Sequence, residues 1–403
     1  CLKVQTKEDS QEVLKTPLAA EIREPGRAYL QVGNNEYFEL FQSAYSGAKV
    51  PNVDPSAVQP YKINELNMWG KPTTVYEVKA KKNDSGDEKK PTTQLDALVE
   101  YVADFCREAK IMPLPSICLA PLTKHLLLSE LNEGVDMRKG QGVVVSVARY
   151  DDPEMQRQDR YTLDLTSDNI LLLGMAQMGK TTTLQSIVFE AIHRYTPREV
   201  NFYIIDAGTM AMMAFRDSKH VGGVVLLSEE DRVRNLFKLL TAQIQERKSR
   251  FMACGVGTYR AYLEAGKRDK PQIVLVIDNV AAFREYYEQY DDTLQMLARE
   301  GLSVGLSLLV TGTASSNLNY RTLSNFNCKV CFTCNDTSEY TAMVGARRME
   351  PANCPGRALV ELDKRVLEAQ FALPTEGETE QERRKNMEVE LAQIAALYDE
   401  HAK

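Results

Sequence analysis

Gly174 to Thr181 reads GMAQMGKT, a match to G-x-x-x-x-G-K-[ST]. These residue types at this spacing suit one task, holding phosphates. Successive backbone N–H groups and the N-terminus of a following helix surround anionic oxygens. Gly174 and Gly179 permit a turn that a side chain would block. Lys180 reaches the outer phosphates, and Thr181 offers its hydroxyl to magnesium. The candidate nucleotide-binding set is Gly174, Met175, Ala176, Gln177, Met178, Gly179, Lys180, Thr181 and Thr182. The cofactors it implies are ATP and Mg2+. Met175, Gln177 and Met178 are bulky for such a loop, which predicts a narrower cradle.

A second element is IVLVIDNV, Ile273 to Val280. A carboxylate at the end of a buried strand beside the loop holds magnesium, usually through water. Asp278 fills that place, so Thr181 and Asp278 are the candidate metal residues. The next position, often Glu in ring-forming ATPases, is Asn279. A carboxylate accepts a proton from an attacking water and an amide does not. Loss of such a base costs about 10²–10⁴ in rate. The expectation is therefore divided: binding of ATP-Mg, without fast hydrolysis and with no confident catalytic residue. Thr311 and Thr313, at the end of LSLLVTGT, are candidate sensors of the γ-phosphate, although threonines there are more often simply strand formers.

These residues need strands and helices to place them. GVVVSVARY, YTLDL and NILLLG read as strands before the loop, and a helix from Lys180 to about Tyr195 follows it. NFYIID, QIVLVID and LSLLVTGT read as further strands. EEDRVRNLFKLLTAQIQERKSRFM and AAFREYYEQYDDTLQMLAREG read as helices between them. Apolar strands alternating with helices imply a mostly parallel sheet covered on both faces. The expected fold class is α/β, a RecA-like P-loop NTPase with flanking helices and a C-terminal β-hairpin.

The chain also repeats itself. EPGRAYLQVGNNEYFELFQ near the start resembles CPGRALVELDKRVLEAQF near the end. The match extends back to KEDSQE over CNDTSE, giving a repeat of roughly 45 residues recurring about 330 residues apart. That separation excludes a solenoid and suits the tail of a large domain, seen twice. Residues 1–45 are accordingly expected as a strand, a helix and the closing hairpin of a preceding module. Residues 46–112 read as an exposed linker holding one helix, about 93–110, with Leu95, Leu98, Val99, Val102 and Phe105 at helical spacing. Its charge run KAKKNDSGDEKKP suits a solvated segment. The main module spans 113–373. Residues 374–403 read as a charged helix with a stripe of Met387, Leu391, Ile394 and Leu397. A first residue Cys1 rather than Met suggests a piece of something longer.

Three of the eight cysteines, Cys328, Cys331 and Cys334, form C-x2-C-x2-C, which suits either a metal site or a buried strand. The strand reading is favoured. The first repeat has Val4 and Lys7 at the equivalents of Cys331 and Cys334, and a strand turns Cys331 away from the other two. Apolar residues make up 43% and charged residues 26% of the chain, ordinary for a globular protein. No run of about 18 apolar residues is present. A net charge of −7 disfavours a protein that wraps duplex DNA.

DDPEMQRQDRYTLDL, IIDAGTMAMMAFRDSKHVGGVV, LQVGNNEYFELFQSAYSGA and the PGRA near the end carry a resemblance. They are similar to the FtsK/SpoIIIE-type ATPase modules of the EssC/EccC family of bacterial type VII secretion. The resemblance implies tandem modules, of which this chain holds the tail of one and the whole C-terminal one. It implies a hexamer in action, secreted WXG100-type protein substrates, other membrane components of the secretion system as partners, and no nucleic acid. It implies a place on the cytoplasmic side of the plasma membrane, with any anchor upstream. Asn279, and Thr313 in place of the glutamine of DNA-pumping relatives, depart from a hydrolytic pattern. Three functions follow in order: a secretion ATPase module with weak intrinsic hydrolysis, a nucleotide-responsive substrate-binding or regulatory module without turnover, and an FtsK-like DNA translocase.

Overall fold

A computed structural model describes the chain except residues 1, 34–36, 46, 50–60, 79–92, 113, 115–118, 135–141, 347 and 401–403. The charge run at 79–91 therefore lies outside the described residues. The chain divides into two compact units, Cys1–Pro115 and Ser116–Lys403.

The first unit holds helix α1 (Lys7–Leu14), a hairpin of β1 (Arg27–Val32) and β2 (Tyr37–Gln42), a second hairpin of β3 (Tyr61–Leu66) and β4 (Pro72–Val78), and helix α2 (Gln94–Glu108). Thr6 and Asp9 form a reciprocal capping box that starts α1. Leu14, Ala19 and Ile22 make a small core with Val4, Tyr29 and Phe38. Two expectations change here. Residues 2–6 form no strand, because Val4 packs into that small core instead of lying in a sheet. Part of the expected linker folds as the β3–β4 hairpin, where Gly70 at φ +75° closes a tight turn. Helix α2 spans the predicted range with its own capping box, Thr93 with Asp96.

The second unit is built on one ten-stranded sheet. Its strands are β5 (Val144–Asp152), β6 (Arg157–Asp164), β7 (Ile170–Leu173), β8 (Val200–Asp206), β9 (Val221–Leu226), β10 (Gln272–Asp278), β11 (Leu306–Gly312), β12 (Cys328–Phe332), β13 (Arg357–Leu362) and β14 (Arg365–Phe371). Their order is β6-β5-β14-β13-β12-β7-β11-β10-β8-β9. From β12 to β9 every pairing is parallel. The β13–β14 hairpin joins β12 to the antiparallel pair β5–β6. The expected parallel α/β sheet and closing hairpin are both present.

The helices of this unit are α3 (Leu128–Leu131), α4 (Lys180–Arg194), α5 (Glu230–Ala253), α6 (Tyr259–Glu264), α7 (Val280–Tyr286), α8 (Asp291–Glu300), α9 (Tyr320–Leu323), α10 (Ser338–Val344) and α11 (Glu380–Glu400). Strand alternation feeds two cores, one on each face. Leu172, Val274 and Val276 enter one, and Leu171, Leu173, Leu275 and Ile277 enter the other. The single helix expected over 281–301 is two helices. Its apolar spacing is unbroken, but tertiary contacts bend it: Arg284 Nε bonds Asp291 Oδ1 at 2.8 Å across the break, and the Tyr287 hydroxyl bonds the Leu227 carbonyl. In α11, Met387 and Leu391 are buried in the first core with Ile394 against it, while Leu397 is exposed.

Candidate nucleotide site

The parallel strands β7, β10 and β11 end at one edge, in register: Leu173 lies beside Gly312, and Asp278 beside Asp206. The crevice outside the carboxyl ends of such strands is where open α/β sheets bind ligands. The GMAQMGKT turn leaves β7 at this edge, and α4 starts directly from it with Gly179 as its N-cap.

Both glycines are required by close approach. Gly174 has φ +157°, and a Cβ there would lie 2.7 Å from the Phe332 Cβ. Gly179 has φ +93°, and a Cβ would lie 2.9 Å from the Gly356 nitrogen. Three backbone bonds hold the turn from outside. Gly174 N–H donates to the Gly312 carbonyl (3.3 Å), Met175 N–H to Thr333 (2.8 Å), and Gly356 N–H to Met178 (3.0 Å). Met178 turns its side chain onto the core, while Ala176 and Gln177 are exposed. Gln177 takes φ +65°.

Lys180 Nζ donates to the carbonyls of Gly174 and Met175, both at 2.7 Å. Its ammonium is thus folded back on the loop. Burial lowers its pKa, with Asp278 and Cys334 opposing. The Thr181 hydroxyl lies 3.0 Å from Asp278 Oδ2, and the Thr311 hydroxyl donates to Asp278 Oδ1 at 2.7 Å. The Asn279 N–H donates to that same Thr311 oxygen at 2.7 Å. Burial pushes the Asp278 carboxyl above the ordinary Asp range and nearby Asp206 adds to this, while Thr311, Thr181 and Lys180 pull it down.

The structure brings together Gly174, Gly179, Lys180, Thr181, Asp278 and Thr311. Thr182 lines the same cleft. Thr313 is turned elsewhere, its hydroxyl bonding Asn317 Oδ1 at 2.9 Å. Asn279 sits in the left-handed region at φ +67° and caps α7 through its Oδ1 to Ala282 N–H (3.4 Å). Asn tolerates that backbone better than most residues.

An oxygen pair of this kind fits Mg2+, which takes few protein ligands and fills its octahedron with phosphate oxygens and water. The glycine turn, closed to any Cβ, fits phosphates. No cluster of three metal-ligating side chains occurs among the described residues. Cys328 packs on one core and Cys331 on the other, as strand alternation requires. Cys334 joins Cys331 rather than Cys328, at 3.8 Å between sulfurs, because β12 ends at Phe332 and the chain bends.

Sequence reasoning missed three parts of the site. Gly356, in the second PGRA, braces Met178. Thr333 braces Met175. Asp206 accepts from the N–H groups of Gly208, Met210 and Met212 (3.0–3.2 Å) and so shapes the loop after β8. The repeat was the one sequence signal that pointed to Gly356. A cleft of about 680 Å3 runs from the loop past Lys124, His125, Gln370 and Arg383. A smaller cavity of about 220 Å3, bounded by Val143, Glu199, Tyr259 and Lys270, lies toward the opposite strand ends and contains no loop residue.

Comparison with known proteins agrees with this geometry. Residues 140–339 match the model of the FtsK/SpoIIIE family. The chain is 31% identical over 403 residues to the ESX secretion system protein EccC of Geobacillus thermodenitrificans, covering 98% of this chain and 26% of that protein. It is 31% identical over 409 residues to the type VII secretion system protein EssC of Staphylococcus aureus (strain MRSA252), covering 98% of this chain and 27% of that protein. The chain thus spans about a quarter of the length of these relatives. Among solved structures, EssC ATPases 2 and 3 from Geobacillus thermodenitrificans align with TM-score 0.64 at 26% identity, over 70% of this chain and 53% of that one. EccC ATPases 2 and 3 from Thermomonospora curvata, solved with a signal sequence peptide, align with TM-score 0.57 at 26% identity, over 70% and 51%.

Proposed function

This chain belongs through residues 140–339 to the FtsK/SpoIIIE family, and from that premise we propose that its second unit is an ATP-Mg-binding module of a type VII secretion motor with weak intrinsic hydrolysis. One observation carries the reading: Thr181, Asp278 and Thr311 share one set of hydrogen bonds beside Lys180 and a glycine turn closed to any Cβ. Lys180 would pair with the outer phosphates of a bound nucleotide in place of the two loop carbonyls. Thr181 and Asp278 would hold Mg2+, with Thr311 orienting the carboxylate. The magnesium neutralises charge on the phosphates when bound.

The weakness lies in water activation. Asn279 offers an amide, and its oxygen already caps α7. The nearest buried carboxylate, Asp206, accepts three backbone N–H groups. An amide takes no proton from an attacking water, and three backbone N–H groups tie the Asp206 carboxylate into the loop after β8. The same observation favours a second reading, a nucleotide-responsive module that binds substrate or neighbouring subunits without turnover. The sensor role of Thr313 is the least supported of the site assignments, since its hydroxyl is engaged by Asn317.

The wider setting is part of the proposal. Similarity to EccC and EssC over nearly the whole chain supports WXG100-type protein substrates, other copies of the chain in a hexamer, and other membrane components as partners. It supports a place at the cytoplasmic side of the plasma membrane. Among the described residues no helix is long and apolar enough to cross a membrane. The repeat supports reading residues 1–45 as the tail of a preceding module, 46–112 as its linker, 113–373 as the ATPase module and 374–403 as a C-terminal helix.

Steady-state phosphate release tests the hydrolysis claim. Wild-type turnover near background, rising about 10²-fold in Asn279→Glu, is expected. Fast wild-type release that vanishes in Lys180→Ala would overturn the weak-hydrolysis reading.

A further inference from the structure

Cys331 and Cys334 are placed where no role has been assigned to them, directly behind the phosphate loop. Cys331 lies in the buried half of β12, between Val330 and Phe332 and beside Leu173 of β7. The chain then bends through Thr333, and Cys334 folds back until the two sulfurs are 3.8 Å apart. A disulfide needs about 2.05 Å between sulfurs, and the bend at Thr333 already brings the two within 3.8 Å. The residue between them that matters is Thr333. Its carbonyl accepts the Met175 N–H at 2.8 Å. Its hydroxyl is buried without a hydrogen-bond partner, while the neighbouring Cys334 N–H donates to the Tyr340 hydroxyl at 2.8 Å and moves with the bend. The wall is tight, since Phe332 is the atom group that excludes a Cβ from Gly174.

We propose that Cys331 and Cys334 form a reversible intramolecular disulfide that displaces Thr333 and loosens the phosphate loop, making the nucleotide site sensitive to hydroperoxides. Cys334 is the attacking thiol. It keeps some solvent exposure where Cys331 has none. Hydrogen bonding with Cys331 lowers its pKa and the Lys180 ammonium favours its thiolate, against burial and the carboxylates of Glu339 and Asp336. In the first step the Cys334 thiolate attacks one oxygen of hydrogen peroxide. The O–O bond breaks, hydroxide leaves and becomes water with the thiol's proton, and Cys334 becomes a sulfenic acid. In the second step the Cys331 sulfur attacks the Cys334 sulfur. The S–O bond breaks, and the hydroxide takes the Cys331 proton and leaves as water. Two thiols lose two electrons, and one peroxide is reduced to two waters. A dithiol reductant reverses the reaction by exchange.

Closing the sulfurs from 3.8 Å to bonding distance requires the bend at Thr333 to move, and the Thr333 carbonyl that accepts the Met175 N–H moves with it. The inference rests on the nucleotide reading only for its effect on affinity. The test uses the full chain treated with hydrogen peroxide and compares three measurements. Peptide mapping is expected to find a Cys331–Cys334 crosslink that dithiothreitol removes. Amide exchange over residues 174–180 is expected to speed up on crosslinking, with no nucleotide present. Binding of a non-hydrolysable ATP analogue is expected to weaken about three- to tenfold, the factor carried by one backbone hydrogen bond. Cys331→Ala and Cys334→Ala should each abolish the peroxide response. Peroxide that oxidises the partly exposed Cys254 and Cys354 yet leaves Cys331 and Cys334 as thiols would overturn the proposal. So would a crosslink that leaves exchange over 174–180 unchanged. If the reduced chain binds no nucleotide, the functional reading fails, and the crosslink and exchange results still decide the redox device.

Discussion

Two hairpins of this chain share a sequence and a set of hydrogen bonds, and differ in what surrounds them. In the first, Gly26 has φ +77°, Gln42 Nε2 donates to the Pro25 carbonyl at 3.0 Å, and Ser43 N–H donates to Gly26 at 2.9 Å. In the second, Gly356 has φ +81°, Gln370 Nε2 donates to Pro355 at 3.1 Å, and Phe371 N–H donates to Gly356 at 2.8 Å. Local sequence dictates this knot in both places. The neighbours do not match. Arg357 is buried, with Nε on Gln370 and Nη2 on the Leu122 carbonyl, and β13 lies inside a ten-stranded sheet. The β1–β2 pair is a two-stranded sheet with Leu30, Val32, Leu40 and Phe41 exposed. The second hairpin braces a phosphate loop through the Gly356 N–H on the Met178 carbonyl. A repeat therefore preserves a local geometry, and function depends on what that geometry is set against.

The comparison can be broken by paired substitutions. The largest separation is expected in stability. Val360→Ala removes two buried methyl groups and should cost about 1–3 kcal/mol, twice the loss for one methyl. Leu30→Ala, its exposed counterpart in the first hairpin, should change stability by no more than about 0.5 kcal/mol. Denaturant melts of the two variants check this, and equal losses would mean that the first hairpin is covered as the second is.

Next comes the shared glycine. Gly356→Ala forces a side chain into the left-handed region, at about 1–2 kcal/mol, and its Cβ would lie 2.5 Å from Gln370 Nε2 and 3.2 Å from the Phe371 carbonyl oxygen. Strain at the brace of Met178 should weaken nucleotide binding about tenfold. Gly26→Ala carries a similar strain, its Cβ lying 2.7 Å from Gln42 Nε2, and should leave nucleotide affinity unchanged. Calorimetry on both variants sharpens the contrast between a braced loop and a hairpin without one.

The smallest effect is electrostatic. Burial raises the Asp278 pKa above the ordinary value of about 3.9. The fold thus favours its neutral form. Stability from this group is full below the ordinary Asp pKa and is lost as pH rises through the raised value. Magnesium needs the ionised form, so Mg-nucleotide affinity should fall as pH is lowered through that raised value. An Asp278→Asn variant should bind Mg-nucleotide weakly and show no such step.

Much of the site could be read from residue types and spacing. Gly174, Lys180, Thr181 and Asp278 lie in motifs whose chemistry is local, and the apolar strands around them report burial on both faces. What could not be read was set by distant partners. Nothing near Thr333 or Gly356 says that either braces the loop, because those bonds depend on β12 and β13 lying beside β7. The bend after Tyr286 interrupts a helical pattern that is intact in the sequence. Residues 61–78 alternate weakly, and their hairpin is held by backbone bonds and the Gly70 turn rather than by a buried face. Cys334 escaped the alternation rule because the strand that enforces it stops two residues earlier.

The central claim is that the loop of the second unit holds ATP-Mg through Lys180 and the Asp278 cluster. Calorimetric titration of a non-hydrolysable ATP analogue with Mg2+ tests it most directly, in the wild-type chain and in Lys180→Ala. One saturable site is expected, weakened at least about tenfold in the variant. No detectable binding at millimolar nucleotide, or equal affinity in the two proteins, would contradict it.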